Sequence, residues 1–216
     1  MFLIPYRDET ASRYFPFLTV ALIAANCYLF FTHYHPDQIA AAANLYGFSP
    51  EAMLSHPQVI LTSLFLHGSI WHLVGNMWFL WLFGYNLEDR FGRISFFVLY
   101  VLSGVIGNLT HTVFSLFSSQ TPVIGASGAV AGVMGAYLIR FPWAKLRCVF
   151  VIVFYPVFFR LRAFWFIGAW MVGEFVAAYL SPGDYIAHWA HVGGFAFGLV
   201  WAYGHRDKYY SAPRSK

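Results

Sequence analysis

A chain of 216 residues that is 59% hydrophobic, 21% aromatic and only 10% charged is too apolar for an ordinary water-soluble domain, and its length leaves room for about six or seven membrane-crossing helices and no separate soluble domain. The formal charge of +4 does not argue for nucleic acid, because each Lys and Arg stands beside the end of an apolar stretch, where it reports membrane topology. The two cysteines, Cys27 and Cys148, both fall in apolar runs and give no disulfide framework.

The first apolar run, about 15–33, follows Arg7 and Arg13. It has no small-residue cleavage site and is long for a signal peptide, so it is read as a retained anchor. Residues 34–68 contain Ile39 to Leu45 and then Ser49-Pro50-Glu51, an N-cap followed by a proline at N1 and an acid in the first turn. Short interfacial helices are therefore expected in this first outer loop. Further spans are expected at about 69–87, 95–117 and 127–140. Residues 148–160 are apolar again, but Pro156 interrupts them and Arg147, Arg160 and Arg162 bracket them, so a re-entrant or interface-lying segment is expected there. Spans at about 162–180 and 188–204 complete six, and Arg206 to Lys216 form a polar basic tail.

The expected fold is an all-α membrane protein: one domain over 1–216, with its six-transmembrane-helix core at about 15–204 and short basic termini. Segments 34–68, 118–126 and 181–187 contain no Lys or Arg. The positive-inside rule then places both termini in the cytoplasm, with a plasma or inner membrane as the expected setting.

Polar residues within spans are costly and point to function. Ser127 lies 13 residues before Arg140, Asn76 lies 14 before Arg90, and His191 lies 15 before Arg206. At the rise of a helix these distances put all three roughly 20–22 Å above the basic boundary and about 10 Å below the opposite surface. His72 is one turn above Asn76 on the same face. Gly128-x-x-x-Gly132 and Gly194-x-x-x-Gly198 are small-residue motifs that permit two helices to approach closely just below Ser127 and His191. A serine needs a base to become a nucleophile, and histidine suits that task. Ser127 also opens a helix, where free N–H groups favour an oxyanion, and the Asn76 amide and His72 are further donors. No carboxylate is found at this depth near His191, which implies a Ser127–His191 dyad.

Gly125-Ala126-Ser127-Gly128, His72-Leu73-Val74-Gly75-Asn76 preceded by His67, Ala190-His191-Val192-Gly193-Gly194-Phe195, and Glu88-Asp89-Arg90-Phe91-Gly92 together resemble the rhomboid family of intramembrane serine proteases over about residues 60–200. The resemblance implies Ser127 and His191 as catalytic residues and Asn76 and His72 at the oxyanion. It also implies no metal or organic cofactor, and cleavage of membrane-protein substrates in or near their transmembrane segments within the lipid bilayer. A hydrophilic cavity toward the outer loops and sideways substrate entry near spans two and five are expected. Two departures stand out: Gln58-Val59 replaces a frequent Trp-Arg pair, and Ala131 replaces an aromatic one turn after the serine.

Other readings weigh less. An inactive rhomboid-like binder of client helices would keep the fold without cleavage. A metal transporter built on His67, His72, His188 and His191 lacks Cys or Asp partners. Glu174 reads as a proton relay or, better, as a neutral acid stapling helices, and His111 as a packing residue. The aromatic stripe Trp71, Trp78, Phe79, Trp81 and Phe83 reads as lipid-facing.

Overall fold

The computed structural model describes residues 3–10, 12–32, 35–114, 122–152, 155–180 and 186–205. In chain order it forms β1 (Leu3–Asp8), α1 (Phe17–Thr32), α2 (Pro36–Tyr46), α3 (Pro50–Ser55), α4 (Val59–Thr62), a 3-10 turn (Ser63–Phe65), α5 (Ile70–Phe91) and α6 (Arg93–Phe114). Then follow α7 (Ser127–Arg140), β2 (Lys145–Ile152), β3 (Tyr155–Arg162), α8 (Ala163–Leu180) and α9 (His188–Gly204). Helices α1 and α5 to α9 overlap the segments expected as spans, but among the described residues two or three candidate spans, not six, meet the length and composition of a crossing helix. By length and composition α6 and α8 can each cross a membrane, and α1 with α2 would make a third such span if the two are taken as one. The basic tail lies outside the described residues.

The all-α expectation is corrected. Residues 145–162 form two antiparallel strands, and the amino-terminal segment adds a third, in the order β1-β2-β3. A short apolar run carries no period that separates strand from helix, and here the β-branched and aromatic residues Val149, Phe150, Val151, Val157, Phe158 and Phe159 tip the balance. Pro5 and Pro156 sit on β1 and β3, the two edge strands, where a missing N–H is tolerated. Arg147 and Arg160 are directly opposite in the register, a repulsive pairing in isolation. Glu9 resolves it by accepting from Arg147 Nε at 2.7 Å and from Arg160 Nε at 2.9 Å.

The same end of the bundle is tied by two further carboxylates. Buried Asp8 accepts hydrogen bonds from Asn86 of α5 and Tyr137 of α7, and from the Thr10 N–H at 2.8 Å. Glu88, also buried, accepts the N–H groups of Leu18 and Thr19 at 2.9 and 2.7 Å. It therefore supplies to the first turn of α1 the anionic cap that this helix's own sequence lacks. Gly92, at φ +77, then turns the chain from α5 into α6.

At the opposite end, Ser49 caps α3 as its sequence signals, accepting from the Ala52 N–H at 3.1 Å. Val59, standing at one of the departures, is buried at the start of α4. Phe48 and Val123 pair through both backbone N–H groups, so the first outer loop is held by backbone pairing and an apolar anchor. The aromatic stripe divides: Trp71, Trp78 and Trp81 are exposed, whereas Phe83 is fully buried against Tyr137, with ring centroids 4.9 Å apart.

Candidate active site

α7 is the central helix, buried without interruption from Gly128 to Tyr137. Its most extensive partner is α9, and the two small-residue motifs form the seam. A Cβ on Gly194 would overlap the carbonyl of Gly128, and one on Gly198 would overlap that of Gly132. At the top of the seam a Cβ on Gly128 would sit 3.4 Å from the Ala190 carbonyl oxygen. The backbones of Gly128 and Gly194 are thus in contact, with Ala190 alongside, and Ser127 and His191 are near neighbours in sequence of these residues.

Ser127 is the first residue of α7 and is partly exposed. The chain reaches it through Gly125, whose φ of +124 only glycine adopts readily, and whose N–H donates to the Ser63 carbonyl at 2.9 Å. A Cβ at Gly125 would lie 2.7 Å from His72 Nε2 and 3.8 Å from Ser127 Oγ. The absent side chain is therefore what lets the His72 ring stand beside the serine. Ser69 caps α5 by accepting the His72 N–H at 3.1 Å. The His72 Nδ1 faces the Gly68 N–H at 3.5 Å, an arrangement that leaves the proton on Nε2, toward Gly125. Asn76 is buried, and its amide donates one N–H to the His72 carbonyl at 3.0 Å, leaving a second donor. His67 packs edge-on against His72 with centroids 5.1 Å apart.

His191 is held from α8. Its Nδ1 lies 2.6 Å from Glu174 Oε2, and the Nδ1 of His188 lies 2.7 Å from the same oxygen. The Trp170 ring flanks it at 6.0 Å, tilted by 34°. The expectation of no carboxylate near His191 is corrected by this contact. α8 runs outward from Arg162, and Glu174 stands 12 residues along it, roughly 18 Å up by the same helical rise. Glu174 thus stands near the level counted for Asn76, Ser127 and His191. Trp170 and Glu174 also account for how the ring is held with buried Ala131 in place of an aromatic.

An ionised carboxylate only accepts, so His191 donates from Nδ1 and its Nε2 is the bare, basic nitrogen. Among the described residues Ser127 Oγ makes no hydrogen bond to His191, a contact that commonly tightens when substrate binds. The four histidines of the transporter reading fall into two groups: His67 with His72, and His188 with His191 on Glu174. A cavity beside His67 is lined by Leu29, Phe30, Ile39, Ala42, Leu66 and Ile124, and neither Ser127 nor His191 borders it.

The model of the rhomboid domain matches residues 51–208. Presenilin-associated rhomboid-like protein, mitochondrial, of Rattus norvegicus is 29% identical over 188 residues, covering 85% of this chain and 48% of that protein. Presenilin-associated rhomboid-like protein A, mitochondrial, of Danio rerio is 33% identical over 150 residues, covering 68% and 37%. Rhomboid protein 1, mitochondrial, of Saccharomyces cerevisiae is 33% identical over 159 residues, covering 67% and 40%. The chain spans about half the length, or less, of these relatives. Their names are mitochondrial, which overturns the expectation of a plasma membrane with cytoplasmic termini. Charge asymmetry distinguishes the two sides of a bilayer and carries no information about which bilayer it is.

Proposed function

This chain belongs to the rhomboid family, and from that premise we propose that it is an intramembrane serine endopeptidase acting on membrane-protein substrates. Rhomboids are generally intramembrane serine proteases, and the observation that carries the reading for this chain is the close backbone approach of Gly128 and Gly194, near Ser127 and His191 in sequence. α1 and α5 to α9 serve as the six spans, and the short α2 to α4 lie at the interface. The shortness of α7, 14 residues, accords with a serine about 10 Å below the surface, reached by water through a hydrophilic cleft.

His191 Nε2 takes the Ser127 proton as Oγ attacks the scissile carbonyl. The Ser127 backbone N–H, the spare Asn76 N–H and the His72 ring donate to the oxyanion. The imidazolium, held by Glu174, then protonates the leaving amine. A water molecule, deprotonated by the same nitrogen, hydrolyses the acyl-enzyme.

Labelling of the detergent-purified protein by a serine-reactive fluorophosphonate tests this. Wild type is expected to label, and Ser127→Ala and His191→Ala are expected not to while keeping their melting temperatures. An unlabelled wild type that still binds transmembrane peptides would replace proteolysis with the binding of client helices.

A further inference from the structure

We propose that Glu174, His188 and His191 form a binding site for one divalent ion of the zinc class, whose occupancy switches His191 off as a base. The second half rests on the protease reading above; the first does not.

Their ligand atoms all lie within 4.8 Å of one another. His188 and His191 are one turn apart on α9, so both rings project from one face toward α8. Two imidazoles and one carboxylate are a donor set that suits zinc, at ~2.0–2.2 Å from each ligand, and lacks the oxygen-rich shell that magnesium or calcium requires. The present hydrogen-bond separations of 2.6 and 2.7 Å need to widen by less than ~1 Å to span such an ion. Ends of long side chains supply that movement. Side-chain exposures of 9% for His188, 10% for His191 and 16% for Glu174 leave the group open to entry while mostly desolvated.

A second observation comes from α6. His111 lies close enough to both His188 and His191 to interact with them electrostatically, and its buried Nδ1 has no hydrogen-bond partner among the described residues.

The switch follows from proton placement. With Glu174 ionised and both rings neutral, each Nδ1 carries a proton and donates it to the carboxylate. Metal binding needs the Nδ1 lone pair, so that proton passes through water to Nε2 of the same ring, with no net release. His191 then bears a proton on the nitrogen that faces Ser127 and cannot accept another. The metal-free site is active and the loaded site is not.

Zinc titration by calorimetry into Ser127→Ala tests the site without any need for catalysis. One Zn2+ per chain is expected, with Mg2+ giving no heat. Affinity is expected to fall by at least about tenfold in His188→Gln and in Glu174→Gln, each on the Ser127→Ala background and each checked by its thermal melt. In wild type, fluorophosphonate labelling is expected to fall on adding Zn2+ and to return with chelator, the inhibition weakening by a similar factor in His188→Gln. Absence of stoichiometric binding to Ser127→Ala, or binding unchanged in folded His188→Gln, overturns the site. Stoichiometric binding with unchanged wild-type labelling overturns the switch. A wild type that never labels overturns the protease reading and leaves the zinc site standing on its own titration.

Discussion

One oxygen of Glu174 faces two ring nitrogens, and the consequence for His191 is a fixed tautomer and a fixed ring plane. In the proposed mechanism Glu174 positions His191, so Glu174→Gln is expected to lower kcat with KM little changed. The expected loss is roughly tenfold to a hundredfold, part of the ~10²–10⁴ attributed to a positioned base, and Glu174→Asp should recover some of it. Steady-state cleavage of a membrane substrate checks this; equal changes in kcat and KM would point to a merely structural role. Asn76→Ala removes the proposed oxyanion donor and should cost about 10²–10³ in kcat, read in the same assay. Ser127, Asn76 and His72 were singled out in the sequence because α5 and α7 each carry an arginine in the last turn, which makes depth a count of residues, and His191 was singled out by the same count from Arg206. The clamp on His191 was not, because a carboxylate in mid-span has two readings, and only lateral packing of α8 on α9 chooses between them.

At the level of elements, the α7–α9 seam is built by what the glycines lack. Gly194→Val would drive a branched side chain into the Gly128 carbonyl, and overpacking of this kind costs ~1–3 kcal/mol. A lowered melting temperature with weaker labelling is the expected result. The motif spacing announced this seam, since close approach follows from small residues at every fourth position. The sheet was not announced, because β1 joins β2 across more than a hundred positions and the Lys145, Arg147, Arg160 and Arg162 that share one face of the β2–β3 pair also read as flanks of a membrane-bound segment. Its charge arrangement yields a pH test. Hydrogen bonds from Arg160 and Arg147 hold the Glu9 carboxyl below its ordinary value of 4.5. A depressed carboxyl contributes stability above its unfolded pKa and loses it as pH falls through the folded one. The melting temperature of wild type should therefore exceed that of Glu9→Gln near neutral pH, and the gap should close as the pH drops below about 4.5.

For the whole molecule, the proposed protease needs a side on which a substrate helix can enter. Among the described residues α8 buries only Ala163, Phe166, Ile167 and Ala178, and it leans chiefly on α9. Toward α5 it is latched by Phe166 stacked on Phe79 at 6.1 Å, a contact of about 0.5–1.5 kcal/mol. Phe166→Ala should raise the rate of cleavage of a membrane-embedded substrate by severalfold while leaving fluorophosphonate labelling unchanged, because the small probe does not need the gap; parallel assays of the two rates decide it. A different consequence follows from β1, whose strand partner is made long after it. Glu9 and Arg147 are 138 residues apart, so at ~5–20 residues per second the ribosome takes on the order of ten seconds to supply β2. Throughout that interval α1 to α7 are being synthesised while the strand that latches their basic ends has nothing to pair with. Biogenesis therefore includes a waiting period, during which an apolar, arginine-bearing strand must be kept from the wrong partner.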